Sequence, residues 1–138
     1  EKSKENPVFY IQYAYARCCS LIRNSSKIIK KPTNFKNINL ENLELEEEIS
    51  LIISICNFYN VLYTAATNLE PHKLANYLLE LSKNFHFYWG LGKTDEEKKI
   101  FNEKKLDLSL SRLILVYAVS IILKKGLKIL KINCPESM

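Results

Sequence analysis

Apolar residues recur every three or four positions along most of this chain, and the places where that rhythm stops mark off its elements. Such spacing is the mark of helices with one face turned to a core. Asn6 before Pro7 pairs a side-chain cap with a ring whose φ suits a first turn, and predicts a helix to about Asn24. Residues 25–43, with Ser25, Ser26, Pro32 and several Asn, read as a loop. A second helix is expected from about Leu45 to Thr67. It carries one stripe through Leu45, Ile49, Ile52, Cys56, Tyr59, Tyr63 and Ala66 and another through Leu51, Ile55, Phe58 and Leu62, which predicts a central helix covered on two sides. Glu70-Pro71 opens a third helix with Leu74, Leu78, Leu81, Phe85 and Tyr88 on one face, which Gly90 and Gly92 are expected to end. Thr94 with Glu97 resembles a capping box at the head of a short surface helix within 94–105. A last helix begins near Ser109 and continues past Gly126 toward Ile132, leaving 133–138 as a tail. The fold class is therefore all-α, a single domain built as a bundle of four long helices plus a short surface helix.

With 138 residues, 47% apolar and 25% charged, the chain has the composition of one folded domain, and disorder is excluded. Its longest largely apolar run, residues 113–123, is too short to span a bilayer, so no membrane partner is expected. Cys18, Cys19, Cys56 and Cys134 lack zinc-finger or redox spacing and read as reduced, mostly buried thiols of a cytoplasmic protein. The net charge of +5 favours a polyanionic partner. Acidic residues gather in 41–48 and 95–103, where they read as solvated surface, and lysines gather in 27–36 and 124–131, which predicts one basic side.

Catalytic residues are not in evidence. His72 and His86 are the two histidines, no glycine-rich phosphate loop occurs, and no metal-ligand spacing is present, so metal: none and catalytic: none are the expectations. His86, between Phe85 and Phe87, reads as a satisfied structural histidine. On the first helix, Val8, Ile11, Tyr15, Cys18 and Ile22 share the core face, which turns Tyr13 and Arg17 away from it. Four residues apart, an aromatic ring and a guanidinium can stack on an unpaired base and bond its edge, or can pack on each other or another helix. Phe85 and Trp89 repeat the spacing, with Phe85 on the core side and Trp89 at its edge.

The string Asn6-Pro7-Val8-Phe9-Tyr10-Ile11-Gln12-Tyr13-Ala14-Tyr15-Ala16-Arg17 resembles the first helix of the C-terminal, DALR-type anticodon-binding domain of bacterial arginyl-tRNA synthetases. Glu70-Pro71-His72-Lys73-Leu74, the pair Phe85-His86, Trp89 with Gly92, and the closing Pro135-Glu136-Ser137-Met138 continue the likeness in order. Tyr15 stands where the family usually carries His, and Ser109-Leu110-Ser111-Arg112 keeps only the Arg of the name-giving signature. The resemblance implies a helical bundle that holds the anticodon arm of tRNA-Arg. It implies base contacts from Tyr13 and Arg17, aromatic stacking near the loop from Phe85 and Trp89, a C-terminal Met138 against the loop, and a place for Gln12 in the same motif. It also implies that arginylation, with its ATP and magnesium, belongs to a catalytic domain absent from these residues. The fragment itself is expected to need no cofactor, to be inactive alone and to be monomeric. The competing expectation is a basic helical interaction module docking on an acidic protein partner or an anionic membrane surface. Membrane docking would require an exposed apolar stripe flanked by Lys.

Overall fold

A computed structural model describes residues 6–29 and 37–138. The first helix, α1, spans Pro7–Ser25, and the Asn6 side chain accepts a bond from the Val8 N–H at 3.0 Å, as the start signal requires. The second stretch is two helices, α2 over Glu46–Cys56 and α3 over Phe58–Thr67. The break falls at Asn57, whose N–H lies within reach of the Ile53 and Ser54 carbonyls. α4 runs over Pro71–Thr94 and α5 over Leu106–Ile129. Short 3-10 turns, Leu40–Asn42 and Glu96–Lys98, occupy two of the connections, and among the described residues there is no strand.

Several expectations are corrected, among them that of mostly buried thiols: Cys18 alone of the four is buried, Cys19 and Cys134 are half-buried, and Cys56 is exposed, on the outer side of α2. α4 passes through Gly90 and Gly92 to Thr94, and the second glycine serves packing, since a Cβ there would meet the Lys99 Cα at 2.9 Å. The segment after α4 is capped by Asp95, whose side chain accepts from the Glu97 N–H at 3.0 Å, and not by Thr94. α5 starts at Leu106, three residues before Ser109. Lys27 lies at the far end of α1 from the Gln12 side chain that binds the tail after α5, roughly 22 Å along the helix axis at 1.5 Å per residue. Lys30, Lys31 and Lys36 of the first lysine-rich segment lie outside the described residues, and with them most of the expected basic side.

The core helix is α5, which packs on α1, α2 and α4. Gly126 lets it approach α4 so closely that an added Cβ would lie 2.5 Å from Leu78. α2 and α3, expected at the centre, lie at the edge: Leu51 and Phe58 are buried, but Ile53 is 64% exposed and Tyr63 73%. By length and apolar content alone, both 46–67 and α5 pass as bilayer-spanning segments, contrary to the expectation from the short apolar run. In this fold α5 turns that apolar surface to its neighbours, and 46–67 is broken at Asn57.

Under the α2–α4–α5 contact lies a polar knot. Glu48, read from sequence as solvated surface, is fully buried and accepts from Arg112 Nε at 2.7 Å, the Tyr88 hydroxyl at 2.8 Å and the Leu45 N–H at 3.1 Å. Arg112 Nη1 donates onward to the carbonyls of Glu97 and Lys99 at 2.8 and 2.9 Å. Burial, and next the Glu48 charge, push the Tyr88 phenol well above its ordinary value, so it remains a donor. A buried ion pair is tolerable only when its remaining donors and acceptors are also met, and here most are.

Candidate nucleic-acid interface

α1 and α4 lie side by side, and their contact sets the geometry of the site. Tyr13 and Arg17 leave the core face as the helical arithmetic requires, yet both are half-buried, because α4 brings an aromatic surface beside them. The Arg17 guanidinium carbon lies 3.6 Å from the Trp89 ring centroid and 4.6 Å from that of Tyr13, and Nη2 donates to the Tyr13 hydroxyl. Lys93, one helical turn beyond Trp89, places its ammonium 4.2 Å from the same indole centroid. Each cation over an indole face contributes about 0.5–2 kcal/mol, so ring faces hold Arg17, with no carboxylate paired to it among the described residues.

The stack continues inward. Tyr13 lies 5.4 Å from His86 with the planes 24° apart, and Tyr10 meets His86 edge-on at 4.8 Å. Burial, and secondarily the Arg17 charge, lower His86 to about 4, so the ring is neutral at neutral pH. It is structural, as expected, but not satisfied: its Nε2 is buried without a hydrogen-bond partner.

Between α1, the end of α4 and the tail opens a cleft of about 380 Å³ lined by Tyr13, Arg17, Arg23, Trp89, Ser137 and Met138 among others. Among the described residues no acidic side chain lines it, and Met138 is 52% exposed. Four residues singled out from sequence, Tyr13, Arg17, Trp89 and Met138, thus meet in one place. Gln12 lies outside the cleft, but its amide donates to the Asn133 carbonyl at 2.8 Å and ties the tail to α1. Tyr15, buried as expected, adds a contact between its hydroxyl and Cys134 of the tail. Phe85 is the correction: it is fully buried in the core beneath the stack and has no face to offer a base. Its position on the Leu74–Leu78–Leu81–Tyr88 stripe already placed it there.

Lys93 and Arg23 were missed by sequence reasoning. Lys93 carried a signal, since it stands four residues after Trp89, as Arg17 stands four after Tyr13. A larger hollow of about 830 Å³ lies between 37–44 and the start of α5, but among the described residues its lining mixes Glu44, Glu103 and Asp107 with Lys104 and Lys105 and holds no aromatic ring. The smaller cleft has the chemistry of an RNA-binding surface, with flat rings and fork-shaped, positively charged donors. Among the described residues, no group of three or more His, Cys, Asp or Glu could hold a metal ion.

Comparison with known proteins follows the same line. Residues 11–138 match the family described as the DALR anticodon binding domain. The whole chain is 40% identical to an arginine–tRNA ligase of Bartonella bacilliformis and 37% identical to one of Rhizobium rhizogenes, and it spans 24% of the length of each. Among solved structures, the arginyl-tRNA synthetase of Thermus thermophilus superposes on 99% of the chain with a TM-score of 0.73 at 28% identity, over 22% of its own length. Helical architecture, aromatic–arginine cleft and matched residues together place this chain in the DALR anticodon-binding domain family.

Proposed function

We propose that this chain grips the anticodon arm of tRNA-Arg as one part of an arginine–tRNA ligase, and that the α1–α4–tail cleft takes unpaired loop bases. The observation that carries the reading is the Arg17 guanidinium lying on Trp89 inside a cleft that no acidic side chain lines among the described residues. A base entering the cleft either stacks on the outer face of that guanidinium or takes its place on the indole, freeing Arg17 to bond a base edge or a phosphate. Stacking of this kind contributes about 1–3 kcal/mol per base, and its selectivity comes from the edge contacts. Tyr13 holds Arg17 in register, Arg23 and Lys93 attract the backbone, and the Gln12-anchored tail presents Met138 as an apolar wall.

Arginylation itself, with ATP and magnesium, belongs to the larger part of the ligase outside this chain. Anticodon binding serves there to orient the acceptor end, a use of remote contacts for positioning. The four thiols are free, which suits the cytoplasm. The chain alone gives no ATP- or arginine-dependent turnover, and detectable aminoacylation by the pure chain would refute that.

The test is a titration with a tRNA-Arg anticodon stem-loop and an anticodon-scrambled control at two salt concentrations, read by Trp89, the sole tryptophan. Selective quenching by the cognate loop is expected. Equal, strongly salt-dependent binding of both would overturn base reading and leave a basic module.

A further inference from the structure

The sequence gives 46–67 two apolar stripes, and the fold covers one of them. Leu51, Phe58 and Ala65 face inward, whereas Ile49 (44% exposed), Ile53, Tyr59 (65%) and Tyr63 face out. Cys56, on the same outward stripe, is also exposed. At 100° per residue Ile49, Ile53 and Cys56 fall within about 60° of one another on α2, Tyr59 and Tyr63 within about 40° on α3, and all five are exposed on the two sides of the Asn57 break. Scattered exposed apolar residues are ordinary, but a contiguous run of Ile and Tyr along two helices marks a surface that is covered in use.

We propose that the outward face of α2 and α3 docks on the remainder of the ligase polypeptide, an inference that rests on the function proposed above. Two observations select this occupant. The first is length: the relatives that this chain matches end to end are about four times longer, so most of such a polypeptide lies outside this chain. A covalently joined neighbour acts at high effective concentration and covers an apolar face ahead of any free partner. The second is charge. One end of the stripe is rimmed by Glu44, Glu46 and Glu47, with Lys125 near Tyr59 toward the other end. An anionic membrane or an RNA backbone requires lysines along the flanks, and acids stand at one end instead. α4 packs on both α1 and α2–α3, while α1 makes no extensive contact with α2 or α3. The apolar face and the RNA cleft therefore lie on different sides of α4 and can be occupied together.

Cys56 is a native reporter of this face. The experiment compares its alkylation, read peptide by peptide by mass spectrometry, in the free chain and in the same chain joined to the Bartonella relative in place of that protein's matching segment. At least tenfold slower labelling in the joined protein is expected, and Ile53→Glu should restore the free-chain rate. Ile53 is solvent-exposed, so the variant keeps its fold, and Ile53→Gln provides a milder check. Equal labelling in both proteins would overturn the proposal. Labelling of the free chain that slows with concentration would also overturn it, in favour of a second copy. Stem-loop binding by the free chain, which does not involve this face, tests the functional reading separately and is expected to be unchanged by Ile53→Glu.

Discussion

Arg112 and Arg17 show one residue type used in two opposite ways. Arg112 is buried, its Nε on Glu48 and its Nη1 on two carbonyls, so the guanidinium is committed to holding α5 against α2 and the 97–99 backbone. Arg17 is half-buried, lies between the rings of Tyr13 and Trp89, and among the described residues has one bond to a phenol and no carboxylate partner. A saturated guanidinium is architecture. One kept charged, oriented and unpaired by ring faces is suited to a ligand that brings its own acceptors.

The contrast can be broken from either side. Glu48→Ala strands the Arg112 charge in the core and should cost about 3–5 kcal/mol, read by urea unfolding, while the protein that remains folded still discriminates the cognate stem-loop. Arg17→Ala should do the reverse. Its unfolding free energy is expected to move by less than about 1 kcal/mol, since a partly exposed cation–π contact is lost, and cognate stem-loop binding to weaken roughly 10- to 100-fold. Arg17→Lys should recover the salt dependence without the selectivity, because an ammonium has no planar fork.

His86, next to Arg17 in the stack, sharpens the picture through pH. Burial holds it near 4 when folded, against 6.5 for the free side chain, so the unfolded state takes up the proton first. Stability should therefore be intact above pH 6.5 and fall as the pH drops toward 4. The expected loss is about 2 kcal/mol, reduced from the full linkage value because the ring keeps some contact with water. His86→Phe should flatten that slope in thermal melts at pH 7 and 4.5. The smallest effect is expected from Gln12→Ala, which removes one tail anchor and should cost about 1 kcal/mol. Limited proteolysis of the tail reads it.

Helical periodicity exposed most of this arrangement, because the core faces of α1, α4 and α5 repeat without interruption. It failed where two stripes shared one segment: 46–67 had the pattern of a central helix, and only the surroundings decide which stripe is covered. Glu48 was hidden by its neighbours in an acidic run, although it stands three residues before Leu51 and extends the buried stripe Leu51, Ile55, Phe58. Its partner Arg112 lies 64 positions away, a distance that local spacing does not reach. The cleft was legible in part. The α1 side followed from the angular positions of Tyr13 and Arg17, and Met138 followed from resemblance. That Arg17 would already occupy the face of Trp89 depends on how two helices pack, and no one-dimensional pattern carries that.

The bond from Gln12 to Asn133 joins residues 121 positions apart and brings Ser137 and Met138 beside a helix that begins at Pro7. On the ribosome, α1 leaves the exit tunnel long before the tail is made. The cleft therefore closes only after every core helix has been synthesised, by a long-range contact and not by local folding. The cleft wall thus hangs on one contact between distant parts of the chain, and its closure is a late event relative to the helices that frame it.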